Sequence, residues 1–196
     1  MTAPTDQSWL LELSGSAPDL VATWRLCDRP IAGRRELRRR GGTASAARLA
    51  PQLEAAAEAL AATLAWLPDA ALAAPGGEAD WNVAQTFAHT TGARRFMAGI
   101  GALAVSGAWP TAQPPRVVPG VPGAANADRA ALLVLLEKSR RAVARSVEEI
   151  AGHEAVRVPI PHPLVGWLRA GEWLLMAGVH DVMHLEQLHR LGSRAA

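Results

Sequence analysis

Two histidines four residues apart, His180 and His184, stand in the segment GEWLLMAGVHDVMHLEQLHRL. On a helix turning about 100° per residue they project only about 40° apart. Gln187 falls between them when the helix is viewed end-on. His189 comes out about 180° from His180 and is set aside. Trp173, Met176, Ala177, Leu188 and Leu191 share the inner stripe with the pair, so two imidazoles are aimed at an apolar interior. That placement is costly unless the ring nitrogens are satisfied. Hydrogen-bonded core histidines would account for an isolated pair, but a third histidine, His89, lies on the apolar stripe of an earlier helix. Three inward imidazoles from two helices can hold one divalent metal and leave positions open for water or substrate. Neutral nitrogen donors without cysteine suit Zn²⁺, the first expectation, and also Ni²⁺, Fe²⁺ or Mn²⁺. An open site of this kind lowers the pKa of a bound water or thiol and polarises a substrate oxygen.

Positioning these residues takes four amphipathic segments, each with apolar residues returning every three or four positions. The first runs from about Arg48 to Leu67 along Leu49, Leu53, Ala56, Leu60, Leu64 and Leu67, and Pro68-Asp69 ends it. The second follows Trp81, with Asn82 as N-cap and Gln85 completing a capping box. Its stripe is His89, Ala93, Phe96, Ile100 and Leu103. The third starts near Asn126 or Asp128 and repeats through Leu132, Leu136, Ser139, Val143, Val147 and Ile150. The fourth spans about Ala170 to Leu191, with Gly192 as its C-cap. Five prolines between Ser106 and Gly123 exclude helix and regular strand there, and the P-I-P-H-P of the 152–166 stretch reads as irregular. The expectation is all-α: a four-helix bundle over residues 46–192, ordered up-down-down-up, because the long crossover lets helices two and three run parallel. Residues 1–45 form an extension of helical character, with Trp9, Trp24 and an arginine run, and 193–196 a tail.

Composition removes several classes. Half of the 196 residues are hydrophobic (49%), enough for a buried core in one domain. The formal charge is only +2, which argues against a protein that works by neutralising nucleic-acid phosphates. The run Arg34, Arg35, Arg38, Arg39, Arg40 has no interleaved aromatics and no helix-turn-helix around it, so a solvated basic face or a dimer contact is expected and no nucleic-acid partner. Cys27 is the single cysteine, which excludes a disulfide framework and is expected to be buried and structural. The start MTAPTDQSW lacks a signal pattern and no apolar run reaches the roughly 20 residues that a bilayer needs. A cytoplasmic protein with no membrane partner is expected.

The pattern W-N-V-A-Q-T-F-A-H, followed by H-P-L-V-G-W-L-R-A-G-E-W-L-L-M-A-G-V-H-D-V-M-H-L-E-Q-L, resembles the DinB-like (DinB/YfiT-like) metal-binding bundles over Arg48 to Leu191. The resemblance implies that Trp81 precedes the helix carrying the first metal ligand, His89, and that H-x-x-x-H-x-x-Q supplies His180 and His184, with Gln187 near the metal. It also implies a metal-dependent S-transferase or isomerase that binds a low-molecular-weight thiol, mycothiol in the actinobacterial branch, as thiolate. The alternatives are a non-catalytic metal- or ligand-binding bundle assembling as a homodimer, and a metal-water hydrolase. Catalytic residues are not assigned. Glu172 and Asp181 flank the pair and read as surface carboxylates, Asp181 with the alternative of orienting an imidazole. Arg94 and Arg95 read as solvated helix charges or as contacts for an anionic substrate. His162, before the last helix, reads as a solvent-facing loop histidine, with a fourth ligand as the alternative.

Overall fold

A computed structural model describes residues 8–74, 80–118 and 120–195. The chain is mostly helical: α1 (Ser8–Ser16), α2 (Pro18–Trp24), α3 (Pro30–Arg40), α4 (Ser45–Trp66), α5 (Asp69–Leu72), α6 (Val83–Val105), α7 (Arg129–Ile150) and α8 (Ala170–Ala195). No helix among the described residues is long and apolar enough to cross a membrane.

The four long helices, α4, α6, α7 and α8, are the four periodic segments, and α4, α7 and α8 largely bury their predicted stripes. α6 instead buries a neighbouring face, Phe87, Thr90, Thr91, Arg94 and Ala98. Of its predicted stripe only Ile100 is buried, with His89, Ala93, Phe96 and Leu103 half-buried. Leu49, Leu53, Ala56, Leu60 and Leu64 of α4 are sealed from solvent, as are Leu132, Leu136, Val143 and Ile150 of α7. α6 starts as its sequence dictates. The Asn82 side chain accepts from Gln85 N at 2.8 Å, and Gln85 Oε1 accepts from Asn82 N at 3.1 Å, which satisfies two otherwise orphaned donors. Asp128 caps α7 by accepting from Ala131 N at 2.8 Å.

α6 packs on both α7 and α8, and α4 packs on the same two helices. The crossover from α6 returns to the start of that helix, where Asn82 Nδ2 donates to Ala125 O at 2.8 Å and Gly123 N to Gln85 O at 3.3 Å. Arg129, at the start of α7, reaches the Leu67 carbonyl at the end of α4 at 2.6 Å. Thr63 Oγ1, late in α4, lies 3.0 Å from His189 Nε2, late in α8.

Three expectations change. The 152–166 stretch is not wholly irregular: β1 (Arg157–His162) pairs antiparallel with β2 (Gly166–Arg169), His162 opposite Gly166 and Pro161 opposite Trp167. Proline argues against a strand because it cannot donate to the ladder. In a two-stranded ribbon both strands are edges, so the missing donors at Pro159 and Pro161 are tolerated. Gly192 does not end the last helix, which continues to Ala195. A side chain there would meet Leu67 Cδ2 and Trp66 Cζ3, each at 2.5 Å, so glycine serves close packing against the end of α4. The expected tail is thus helical over 193–195, and Ala196 lies outside the described residues.

The region before α4 forms α1, α2 and α3 from Ser8 on, and Leu13, Ala17, Leu20, Val21 and Leu37 join the same apolar core as Trp173 and Leu174. α2 and α3 pack on α8, and α1 packs on α4. Cys27 is exposed just beyond α2, contrary to the expected buried position, because the chain turns outward there between two helices.

Candidate metal centre

His89 sits in the second turn of α6, set there by the Asn82 cap, and His180 and His184 are one turn apart on α8, which packs against α6. The three rings converge. Centroid separations are 5.2 Å for His89–His180, 5.1 Å for His89–His184 and 4.3 Å for His180–His184. One ligand nitrogen from each lies within 4.8 Å of the others, so the group can hold a metal ion. The structure thus brings together the three histidines that the sequence singles out.

Hydrogen bonds to the backs of the rings decide which nitrogens face inward. Val121 O lies 2.8 Å from His89 Nδ1, and a carbonyl only accepts, so His89 carries its proton on Nδ1. Gln187 Oε1 lies 2.7 Å from His184 Nδ1; with the amide oxygen there, this ring is also the Nδ1–H tautomer. Both rings therefore present Nε2 lone pairs to the centre, the polarity a metal ligand needs. Gln187, expected near the metal, acts one bond further out, holding His184 from behind.

The donor set fits a metal on two structural grounds. His180 Nε2 and His184 Nε2 are 3.1 Å apart. Two nitrogens bound at about 2.0–2.1 Å to one ion stand about 3 Å apart. Two neutral lone pairs held that close in a buried site repel unless a proton or a cation lies between them. Burial also keeps the rings neutral: it pushes His180 well below the ordinary histidine value and His184 down to about 4, where neighbouring imidazoles add to the effect. Neutral rings are the form that binds metal.

The histidines lie in a cavity of about 630 Å³ walled by Trp81, Phe96, Met97, Val121 and Leu164, among others. Trp81 meets the His89 ring edge-on at 5.0 Å. Part of the Pro-rich crossover, Arg116 to Val118 and Gly120 to Gly123, forms one wall, and β1 and its turn form another through His162, Pro163 and Leu164.

Four of the flanking expectations are corrected. Asp181 is wholly buried, not on the surface, and does not orient an imidazole. It faces Arg94 of α6, whose Nε is 3.0 Å from Asp181 Oδ2, while Arg94 Nη2 donates to Leu53 O at 2.9 Å. Arg94 is 1% exposed, so it is neither solvated nor open to a substrate. Burial pushes Asp181 up to about 7 although Arg94 pulls the other way. Glu172 is buried too, its Oε2 accepting from Arg169 N at 3.0 Å where β2 turns into α8. His162 is 5% exposed and lines the cavity, yet is not among the three converging ligands. These residues escaped the sequence reading for one reason: helical angle gives a direction, and only the neighbouring element decides whether that direction is solvent or core. Arg95, by contrast, is exposed as expected.

The arginine run lies on α3. Arg39 and Arg40 pair with Glu36, Arg40 also reaches Asp19, and Arg34 donates to the Val165 carbonyl in the β1–β2 turn. His189 stacks between Trp9, at 5.0 Å, and Trp66, at 5.3 Å, well away from the centre as its helical angle predicts.

No curated protein and no solved structure matches the chain. The family model of the DinB superfamily matches residues 52–188, more than half of the chain and the span that carries all three histidines, and the chain belongs to that superfamily.

Proposed function

We propose that this protein binds one divalent metal, Zn²⁺ in the first instance, through the Nε2 atoms of His89, His180 and His184, and acts as a metal-dependent thiol S-transferase. The observation that carries the reading is the polarity of the site: two of the three rings, half-buried His89 and buried His184, have Nδ1–H engaged at the back, leaving Nε2 lone pairs pointed at a common centre. When bound, the ion would supply Lewis acidity, holding a thiol in its reactive thiolate form and polarising a substrate oxygen. The chain contributes the rest. Gln187 and the Val121 carbonyl keep the tautomers, Trp81 fixes the His89 ring, and the apolar walls exclude water and so strengthen electrostatic interactions inside. Cys27 is outside the cavity and takes no part.

The architecture we read here is the up-down-down-up four-helix bundle. Its support is the return of the crossover to the start of α6, together with the pairing of the ends of α4 and α8. That order brings α6 and α8 side by side with His89 level with His180 and His184.

The test begins with metal content. Purified protein should carry close to one divalent ion, and His89→Ala or His184→Ala should abolish it; full loading of His180→Ala/His184→Ala would remove the ligand assignment. Cobalt-substituted protein should then develop a sulfur-to-metal charge-transfer band on addition of mycothiol or a similar thiol, absent in His184→Ala. A loaded site whose cobalt spectrum ignores several cellular thiols would refute the transferase reading.

A further inference from the structure

His162 shares the cavity with the three converging histidines but has the opposite polarity. Leu164 N donates to its Nδ1 at 3.2 Å, so Nδ1 is the unprotonated nitrogen and a neutral ring carries its proton on Nε2. Burial pushes His162 down to about 4, so the ring is neutral near pH 7. Its Nε2 has no partner among the described residues, and it is absent from the buried polar atoms that are sealed off without one. That leaves a donor reachable from the cavity. The ring is held by edge-on packing against Trp173 at 5.3 Å, so it is a fixed donor and not a swinging side chain. To act as a fourth ligand it would need the other tautomer, which sets Nδ1–H against the Leu164 N–H.

Apart from Arg116 and the three converging histidines, the side chains that line the cavity around this donor are apolar. Phe96 and Met97 line it, and its rim exposes Val118 (65%), Val121 (52%), Leu164 (81%) and Met183 (41%). Exposed large apolar side chains gathered at the mouth of one cavity mark a surface that a ligand covers. The volume of about 630 Å³ is that of a small-molecule site.

We propose that His162 is the substrate-positioning donor of this cavity: its Nε2–H holds a carbonyl-type oxygen of a small ligand whose apolar body rests on Phe96, Met97 and the exposed rim. The inference deepens the metal-centre reading and rests on it only in setting the ligand's polar head across from the three Nε2 atoms.

Acetophenone and ethylbenzene share a phenyl ring with a two-carbon side chain and differ in having C=O or CH2 next to the ring, so the ratio of their affinities, compared between variants, reports on the donor. Their dissociation constants are measured by NMR titration of the full-length protein with and without zinc, alongside its zinc content. Acetophenone should bind the zinc-free protein about five- to tenfold more tightly than ethylbenzene, the range of one neutral hydrogen bond. The ratio should fall to about one in His162→Phe, which keeps the packing on Trp173, and persist in His162→Gln, which keeps an N–H donor. Zinc content should be equal in all three proteins. An unchanged ratio in His162→Phe, or no binding of either probe, overturns the proposal. Loss of zinc in His162→Phe overturns it in favour of a fourth ligand. Failure of the metal-centre reading is distinguishable, because it appears as absence of zinc from the unsubstituted protein while the probe ratio in zinc-free protein stands.

Discussion

The Arg94–Asp181 contact allows a stringent test of how α6 and α8 are held beside the histidines. Both side chains are out of solvent (1% and 0% exposed), 3.0 Å apart, and Asp181 has no other partner among the described residues. Substituting Arg94→Met keeps the aliphatic length but strands the carboxylate. At pH 8, above the value of about 7 to which burial raises Asp181, the carboxylate is charged in the unsubstituted protein. Breaking a buried pair by removing one partner costs about 3–5 kcal/mol, whereas replacing both partners with apolar groups is often neutral or stabilising. For a chain of this size that loss corresponds to a drop in Tm of roughly 10 °C. The same range is expected for Asp181→Asn, which leaves the guanidinium without its counter-charge; Arg94 Nη2 keeps only the Leu53 carbonyl. The double substitution Arg94→Met/Asp181→Val should recover most of the loss, giving a coupling energy of at least about 2 kcal/mol in a double-mutant cycle. Urea unfolding at pH 8 of the four proteins, all metal-free, measures it. Single substitutions that each cost under about 1 kcal/mol, or losses that simply add, would falsify the description of a desolvated pair.

Gln187→Leu removes the acceptor behind His184 Nδ1 and should weaken zinc binding about 10–100-fold at unchanged stoichiometry, read by competition with a chelating dye. Gly123→Ala would place a Cβ 2.2 Å from Ala88 Cβ, forcing the crossover off α6. It should cost about 1–3 kcal/mol and, by shifting the nearby Val121 carbonyl from His89, weaken zinc binding as well. His162 contributes to the pH dependence of the zinc-free protein alongside His180 and His184, because its folded value of about 4 lies below the unfolded 6.5. A depressed value means that stability is present above pH 6.5 and is lost as pH falls towards 4, because the unfolded chain takes up the proton first. The stability difference between the unsubstituted protein and His162→Phe should therefore move by about 3 kcal/mol across that window, against the former at acid pH. A pH-independent difference in urea unfolding would refute the burial of this ring.

What the sequence determined by itself was local. Helical periodicity is a property of neighbours three and four residues apart, so the helices themselves, the buried stripes of α4, α7 and α8 and the Asn82–Gln85 box were legible without a fold, while the face that α6 buries was not. The angle between His180 and His184 is equally local, and His89 followed from its place on an apolar stripe. Tertiary structure decided everything that depends on what lies opposite. Asp181 and Arg94 had the sequence signature of surface charges and became a buried pair only because α6 and α8 set them face to face. His162 moved from solvent to cavity because a hairpin formed where prolines argued for none, and Gly192 became a packing contact where a helix stop was expected. The backbone carbonyl of Val121, which orients His89, has no side-chain trace at all. Its role exists only because the crossover returns along α6, and a chain's path in space is set by the sum of its distant contacts, not by any one segment.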